Sequence, residues 1–189
     1  MLVDHIGAFL FPFCQILRVI GRISFPLFAY QLRVGWQKTS RKENYFKRLF
    51  YFGLISQIPF YLLNKNPFYF NILFTFCLGI LMFSFLEKKN YLPLFFLFPI
   101  SLFFDYGLYG LFTLLIFYFF EQPLFQFFLF CLNTIFYCLL FKNFIQIFSL
   151  FSFVFIFFLN FQVKIPKYFF YVFYPLHLFL IYLVKITLF

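Results

Sequence analysis

Asp4 and His5 stand side by side in a stretch that is otherwise apolar. A charged group at membrane depth costs roughly 2.5 to 3.5 kcal/mol on insertion scales, so an ionisable residue there marks function by default. The pair suits proton chemistry. An acid beside an imidazole stabilises its charged form, burial favours the neutral ring, and a histidine held between the two titrates near neutrality, as general-base catalysis requires. His177, in Tyr174-Pro175-Leu176-His177-Leu178, reads by itself as a hydrogen-bonded core residue. Arg18 and Arg22 are four apart and share a helix face; they either snorkel to an interface or meet an anionic ligand. Asp105 is either a helix stop before Gly107 or a salt-bridge partner of Arg18 or Arg22, the second being the preferred reading. Gln57 and Asn71 complete the set of polar residues that an apolar chain must account for.

The elements that position these residues follow from composition. Of 189 residues, 65% are hydrophobic and only 11% charged, and the mean hydropathy is +0.96. A soluble domain would carry about a quarter charged residues. A spanning helix needs ~20 mostly apolar residues, so the expected fold is a single all-α, polytopic transmembrane bundle over residues 1–189 with about eight or nine spans. The apolar runs fall at 1–20, 21–36, 49–63, 71–86, 91–104, 108–120, 124–141, 144–161 and 168–188. No cleavable signal peptide is expected, since no basic segment precedes the first run. Pro26, Pro59, Pro99 and Pro175 lie inside runs, and each leaves a carbonyl unpaired; they are candidate kinks facing the bundle interior, with simple helix bending the preferred reading at any one of them, and for Pro175 the freed carbonyl is Tyr171, near His177.

The net charge of +10 points to orientation. Basic residues gather in cytoplasmic loops, here 37–48, Lys88-Lys89 and 164–167, which with nine spans puts the N-terminus inside and the C-terminus outside. Nucleic-acid binding is not indicated. Cys14, Cys77, Cys131 and Cys138 show no metal-ligand spacing, so no metal is expected.

Several motifs resemble the TraX family, membrane proteins linked to N-terminal acetylation of conjugative pilin. They are Asp4-His5-Ile6-Gly7, Leu17-Arg18-Val19-Ile20-Gly21-Arg22-Ile23-Ser24-Phe25-Pro26, Leu54-Ile55-Ser56-Gln57-Ile58-Pro59, Asn71-Ile72-Leu73-Phe74-Thr75, Asp105-Tyr106-Gly107 and Tyr174-Pro175-Leu176-His177. The last is also similar to the closing Tyr-Leu-x-His element of integral-membrane acyltransferases. The family carries about half a helix before its Asp-His pair, whereas Met1 is three residues upstream; the resemblance implies an upstream start or a shortened first helix.

The resemblance further implies a cytoplasmic-membrane enzyme that moves an acetyl group from acetyl-CoA, as co-substrate, to an acceptor at or across the membrane. The acceptor would be a pilin N-terminal amine, with a sugar or lipid hydroxyl as alternative. His5, oriented by Asp4, would be the base or transient carrier, and His177 the second imidazole. Arg18, Arg22, Gln57 and Asn71 would supply donors to developing negative charge, and Asp105 would join them in binding substrate. The basic 37–48 stretch would attract coenzyme phosphates or simply fix topology. The rival expectation is a non-enzymatic membrane scaffold or small transporter, since interhelical polar contacts average only ~0.6 kcal/mol and can be purely structural.

Overall fold

The computed structural model describes residues 1–158 and 168–188. Among them, nine α-helices follow in order: α1 (Leu2–Phe9), α2 (Gln15–Arg22), α3 (Ser24–Lys38), α4 (Lys42–Asn64), α5 (Ile72–Glu87), α6 (Leu92–Ile100), α7 (Gly107–Phe119), α8 (Pro123–Phe141) and α9 (Phe169–Leu188). A 3-10 stretch (Phe144–Phe151) and a π turn (Val154–Phe158) lie between α8 and α9. An isolated bridge joins Phe70 to Phe104.

The run 1–20, expected as one span, is two eight-residue helices. Pro12 has no N–H to continue α1 and disfavours helix in the residue before it, so the chain turns after Leu10 and α2 packs back on α1. Eight residues rise only about 12 Å, too little to cross. Ile23 is the only residue between α2 and α3. The two form a bent rod, with the bend where Pro26 withholds a hydrogen bond from the Arg22 carbonyl. Arg18 and Arg22 therefore lie within a rod and do not flank an interfacial turn, which removes the snorkelling reading for the buried Arg22.

The 37–48 stretch is not a loop. Helix α3 runs to Lys38 and α4 begins at Lys42, leaving a turn of three residues. Lys38 in the last turn of α3 and Glu43 in the first turn of α4 both suit the helix dipoles. Segments then alternate in direction. Glu87, ending α5, meets Lys42 at the start of α4. Glu121, just after α7, meets Arg33 near the end of α3 at 2.7 Å. At the opposite end, the Phe70–Phe104 bridge joins the approach to α5 with the exit from α6.

Helix α5 is the centre. Every residue from Ile72 to Ile80 is buried, as expected of a helix that is hydrophobic all round. Helices α8 and α9, of 19 and 20 residues, are long and apolar enough to cross a membrane. Their outward faces carry exposed Phe128, Phe136 and Leu139 on α8 and Phe179 and Leu183 on α9, apolar surface of the kind that needs lipid or a partner. Residues 144–158 are not one α-helical span, and the rest of that run, with the 164–167 turn, lies outside the described residues. Pro26 and Pro59 are buried as expected. Pro99 faces outward instead, and Pro175 is half-buried.

Gly21 sets how closely α1 lies on α2, because a Cβ there would come within 2.6 Å of the Asp4 Cα. Gly53 has room, its nearest foreign atom being a Phe74 ring carbon at 3.4 Å. Overpacking costs about 1–3 kcal/mol, while replacing a helical glycine by alanine gains up to about 1 kcal/mol. Gly21→Ala should lower the thermal midpoint in detergent, and Gly53→Ala should leave it unchanged or raised. Equal midpoints for the two variants would contradict the close approach.

Candidate active site

Helix α1 brings two side chains to the centre, and α2 and α9 receive them. Successive residues on a helix point about 100° apart. Asp4 faces α2, and His5 faces α9. There His5 Nδ1 lies 2.8 Å from His177 Nε2, the rings stacked with centroids 5.1 Å apart. His177 Nδ1 lies 2.8 Å from the Phe173 carbonyl oxygen.

These two contacts fix the protons. A carbonyl only accepts, so His177 Nδ1 carries hydrogen and donates to it. With both rings neutral, His177 Nε2 is then an acceptor and His5 Nδ1 donates to it. His5 Nε2 is left as a bare lone pair. His177 thus sets the tautomer of His5, a task the sequence had given to Asp4. The Tyr171 carbonyl freed by Pro175 is not the partner of His177; the partner is Phe173, four residues before it on the same helix face.

The Asp4 carboxylate is taken by arginine. Its Oδ1 lies 2.9 Å from Arg18 Nη1 and 2.7 Å from Arg22 Nη2, and Arg18 Nη1 also donates to the Asp4 main-chain oxygen at 3.0 Å. Arg22 Nη1 donates to Gln146 Oε1 at 3.1 Å, and its Nε has no partner among the described residues. Asp105 is not their partner, as had been expected. The hydroxyl of Tyr69 donates to its Oδ1 at 3.3 Å and the Tyr106 amide at 3.1 Å.

Asp4, His5, Arg18, Arg22 and Asp105 all line one cavity of about 480 Å³. Asn64, Tyr69, Tyr106, Tyr137 and Asn143 add to its wall. A second cavity of about 210 Å³, mostly apolar, lies toward the other end of the bundle, lined by Leu2, Tyr45, Leu49, Tyr171 and Tyr174 among others. The Tyr174 ring on its wall stands 6.0 Å from that of His5 and 5.3 Å from that of His177. His5 lines the polar cavity, Tyr174 the apolar one, and His177 a further apolar space of about 240 Å³ with Leu2, Ile6 and Leu180.

Gln57 and Asn71 line neither cavity. Asn71 caps α5, accepting from Leu73 N at 3.0 Å, and its amide donates to the Gly53 carbonyl at 2.9 Å and to Gln57 Oε1 at 2.8 Å. Gln57 Nε2 donates to the Tyr69 carbonyl at 2.9 Å. Their donors are spent on joining α4 to α5. Gln146 went unnoticed in the sequence. Its signal is the spacing of Gln146 and Ser149, one helical turn apart in an apolar run: both are buried, and Ser149 meets the Tyr109 hydroxyl at 3.1 Å.

Residues 1–185 match the family model described as TraX protein. The chain belongs to the TraX family. The family is associated with conjugation and pilin acetylation, and the two helices long and apolar enough to cross a membrane suggest a membrane protein. The chain is also 35% identical over 79 residues to an uncharacterised protein of Rickettsia prowazekii, a match covering 42% of this chain and 30% of that protein. No solved structure matches the chain. The TraX match reaches from Asp4 and His5 through His177, so it contains every residue of the site.

Removing one partner of a buried ion pair costs roughly 3 kcal/mol or more, because the remaining charge is left uncompensated. Asp4→Asn strands two guanidinium groups, whereas His5→Gln keeps most of the buried side-chain volume and loses one hydrogen bond, worth about 1 kcal/mol. Asp4→Asn should melt well below His5→Gln in the same detergent. A wild-type midpoint for Asp4→Asn would show that these ion pairs do not hold α1 in place.

Proposed function

We propose that this TraX-family chain is an acetyl-CoA-dependent membrane acetyltransferase, with His5 as its base and His177 as the residue that holds His5 in the reactive tautomer. The supporting observation is the His5 Nδ1 to His177 Nε2 contact of 2.8 Å, which aims the free Nε2 away from the pair while His5 lines a polar cavity. A general base needs an available lone pair within hydrogen-bond reach of the acceptor.

The two cavities suit the two substrates. The apolar one opens toward the end where Lys38, Arg41, Lys47 and Arg48 cluster around the α3–α4 turn. This is the end we place in the cytoplasm, where the basic residues would meet coenzyme phosphates and the thioester arm would enter between Tyr45 and Tyr174. The polar cavity receives the acceptor from the other end. The bundle then crosses with α1 as a half-length segment and the α2–α3 rod as the first full one. In the reaction the acceptor atom attacks the thioester carbonyl and His5 Nε2 takes its proton. The carbonyl oxygen becomes anionic, with the Arg18 and Arg22 guanidinium groups beside it. As the carbonyl re-forms, the C–S bond breaks and the thiolate takes the proton from His5. A pilin N-terminal amine is the acceptor that the family association favours.

The test is consumption of radiolabelled acetyl-CoA by protein purified in detergent or nanodiscs. General-base catalysis contributes about 10²- to 10⁴-fold, so His5→Ala should lose at least about 100-fold. His177→Phe keeps ring bulk but frees the His5 tautomer, and should lose about 10-fold or more. Thioester consumption by His5→Ala at the wild-type rate would overturn the assignment, and none by the wild type would favour the scaffold reading.

A further inference from the structure

We infer that Asp105 receives the acceptor as an ammonium ion and takes its first proton; the inference rests on the acetyltransferase reading above. The polar cavity holds two carboxylates and two guanidinium groups, but they are unevenly paired. Both arginines are on Asp4 Oδ1, at 2.9 and 2.7 Å. Among the described residues no cation lies within ion-pair distance of Asp105. Its two hydrogen bonds, from Tyr69 and Tyr106, both end on Oδ1. Among the described residues no protein donor reaches Oδ2, and Asp105 lines the cavity.

A carboxylate in a protein cavity with no cation in contact is costly, and this one, which Arg22 reaches only at longer range, is held there by more than its side chain. The Asp105 amide donates to the Phe70 carbonyl at 2.9 Å, and the Asp105 carbonyl accepts from Thr75 Oγ1 at 2.6 Å. The next residue, Tyr106, has φ of 64°, followed by Gly107 at 44°. Left-handed backbone at a tyrosine costs of order 1–3 kcal/mol and persists only where the surroundings over-determine it. The missing partner is a small cation.

A primary ammonium fits both the site and the chemistry. As R–NH3⁺ it pairs with Asp105 and is not yet nucleophilic. It gives one proton to Oδ2, and its freed lone pair forms the C–N bond at the thioester carbon. His5 Nε2 takes a second nitrogen proton and passes it to the departing thiolate. The products are the amide, the free thiol and one proton, left on Asp105 and then released to water. A neutral hydroxyl acceptor has no first proton to give and no charge to match Asp105.

The test compares two probe acceptors of the same shape, alaninamide and its hydroxyl counterpart lactamide, in the full chain with acetyl-CoA. The wild type should acetylate alaninamide in preference to lactamide, with little dependence on pH just below the amine's own pKa of about 8. Asp105→Asn should raise the alaninamide KM and lower kcat/KM about 10-fold or more. Its remaining rate should climb about tenfold per pH unit over that range, following the free amine. Asp105→Glu should restore part of the flat profile.

Equal losses toward both probes in Asp105→Asn, with the pH profile unchanged, would make Asp105 a structural residue and overturn the inference. A wild type that hydrolyses acetyl-CoA but prefers lactamide would overturn it while leaving the acetyltransferase reading intact. A wild type that consumes no thioester would remove both.

Discussion

A carboxylate shared by two guanidinium groups governs this architecture. In an apolar bundle neither sign of charge can stand alone, so Asp4 draws Arg18 and Arg22 to itself and with them binds α1 to α2. Gly21 allows the backbones to meet closely enough for those contacts. With α1 fixed, the turn of about 100° from one residue to the next carries His5 to a different face, onto α9. The ion pairs thus place the imidazole without touching it, and α9 completes the arrangement through a backbone carbonyl four residues before His177.

Residue identity was legible in the sequence, and pairing much less so. Asp4, His5, His177, Arg18, Arg22 and Asp105 stand out because apolar surroundings give each of them no ordinary reason to be there, and the fold brings all six to one region. Which of them meet could not be read from adjacency. Asp4 and His5 are neighbours in the chain and diverge in space, while His5 and His177 are 172 residues apart and touch. Gln57 and Asn71 carry the same donors as a substrate site, but an asparagine directly before an apolar helix is also a cap; here its oxygen caps α5 while both amide groups donate to the α4–α5 junction.

The all-helical class followed from composition, yet the division of the runs into elements did not. A window of about 20 residues averages over Pro12, which divides the first run, and over Gln146, which turns an apparently featureless run into a support for Arg22. The basic cluster, read as a loop, concealed that most of it is helix. In each case one residue with a strong local requirement outweighed the mean of its neighbours.

Family membership and geometry meet at the histidine pair, and the state of its protons is the central claim. The chain has only two histidines, so ¹⁵N NMR of ring-labelled protein in nanodiscs resolves each one, with a His177 variant for assignment. The account predicts that both rings are neutral with the proton on Nδ1, so that His5 Nε2 gives the signal of an unprotonated nitrogen. A protonated Nε2 on His5, whether in a neutral ring or an imidazolium, would contradict it.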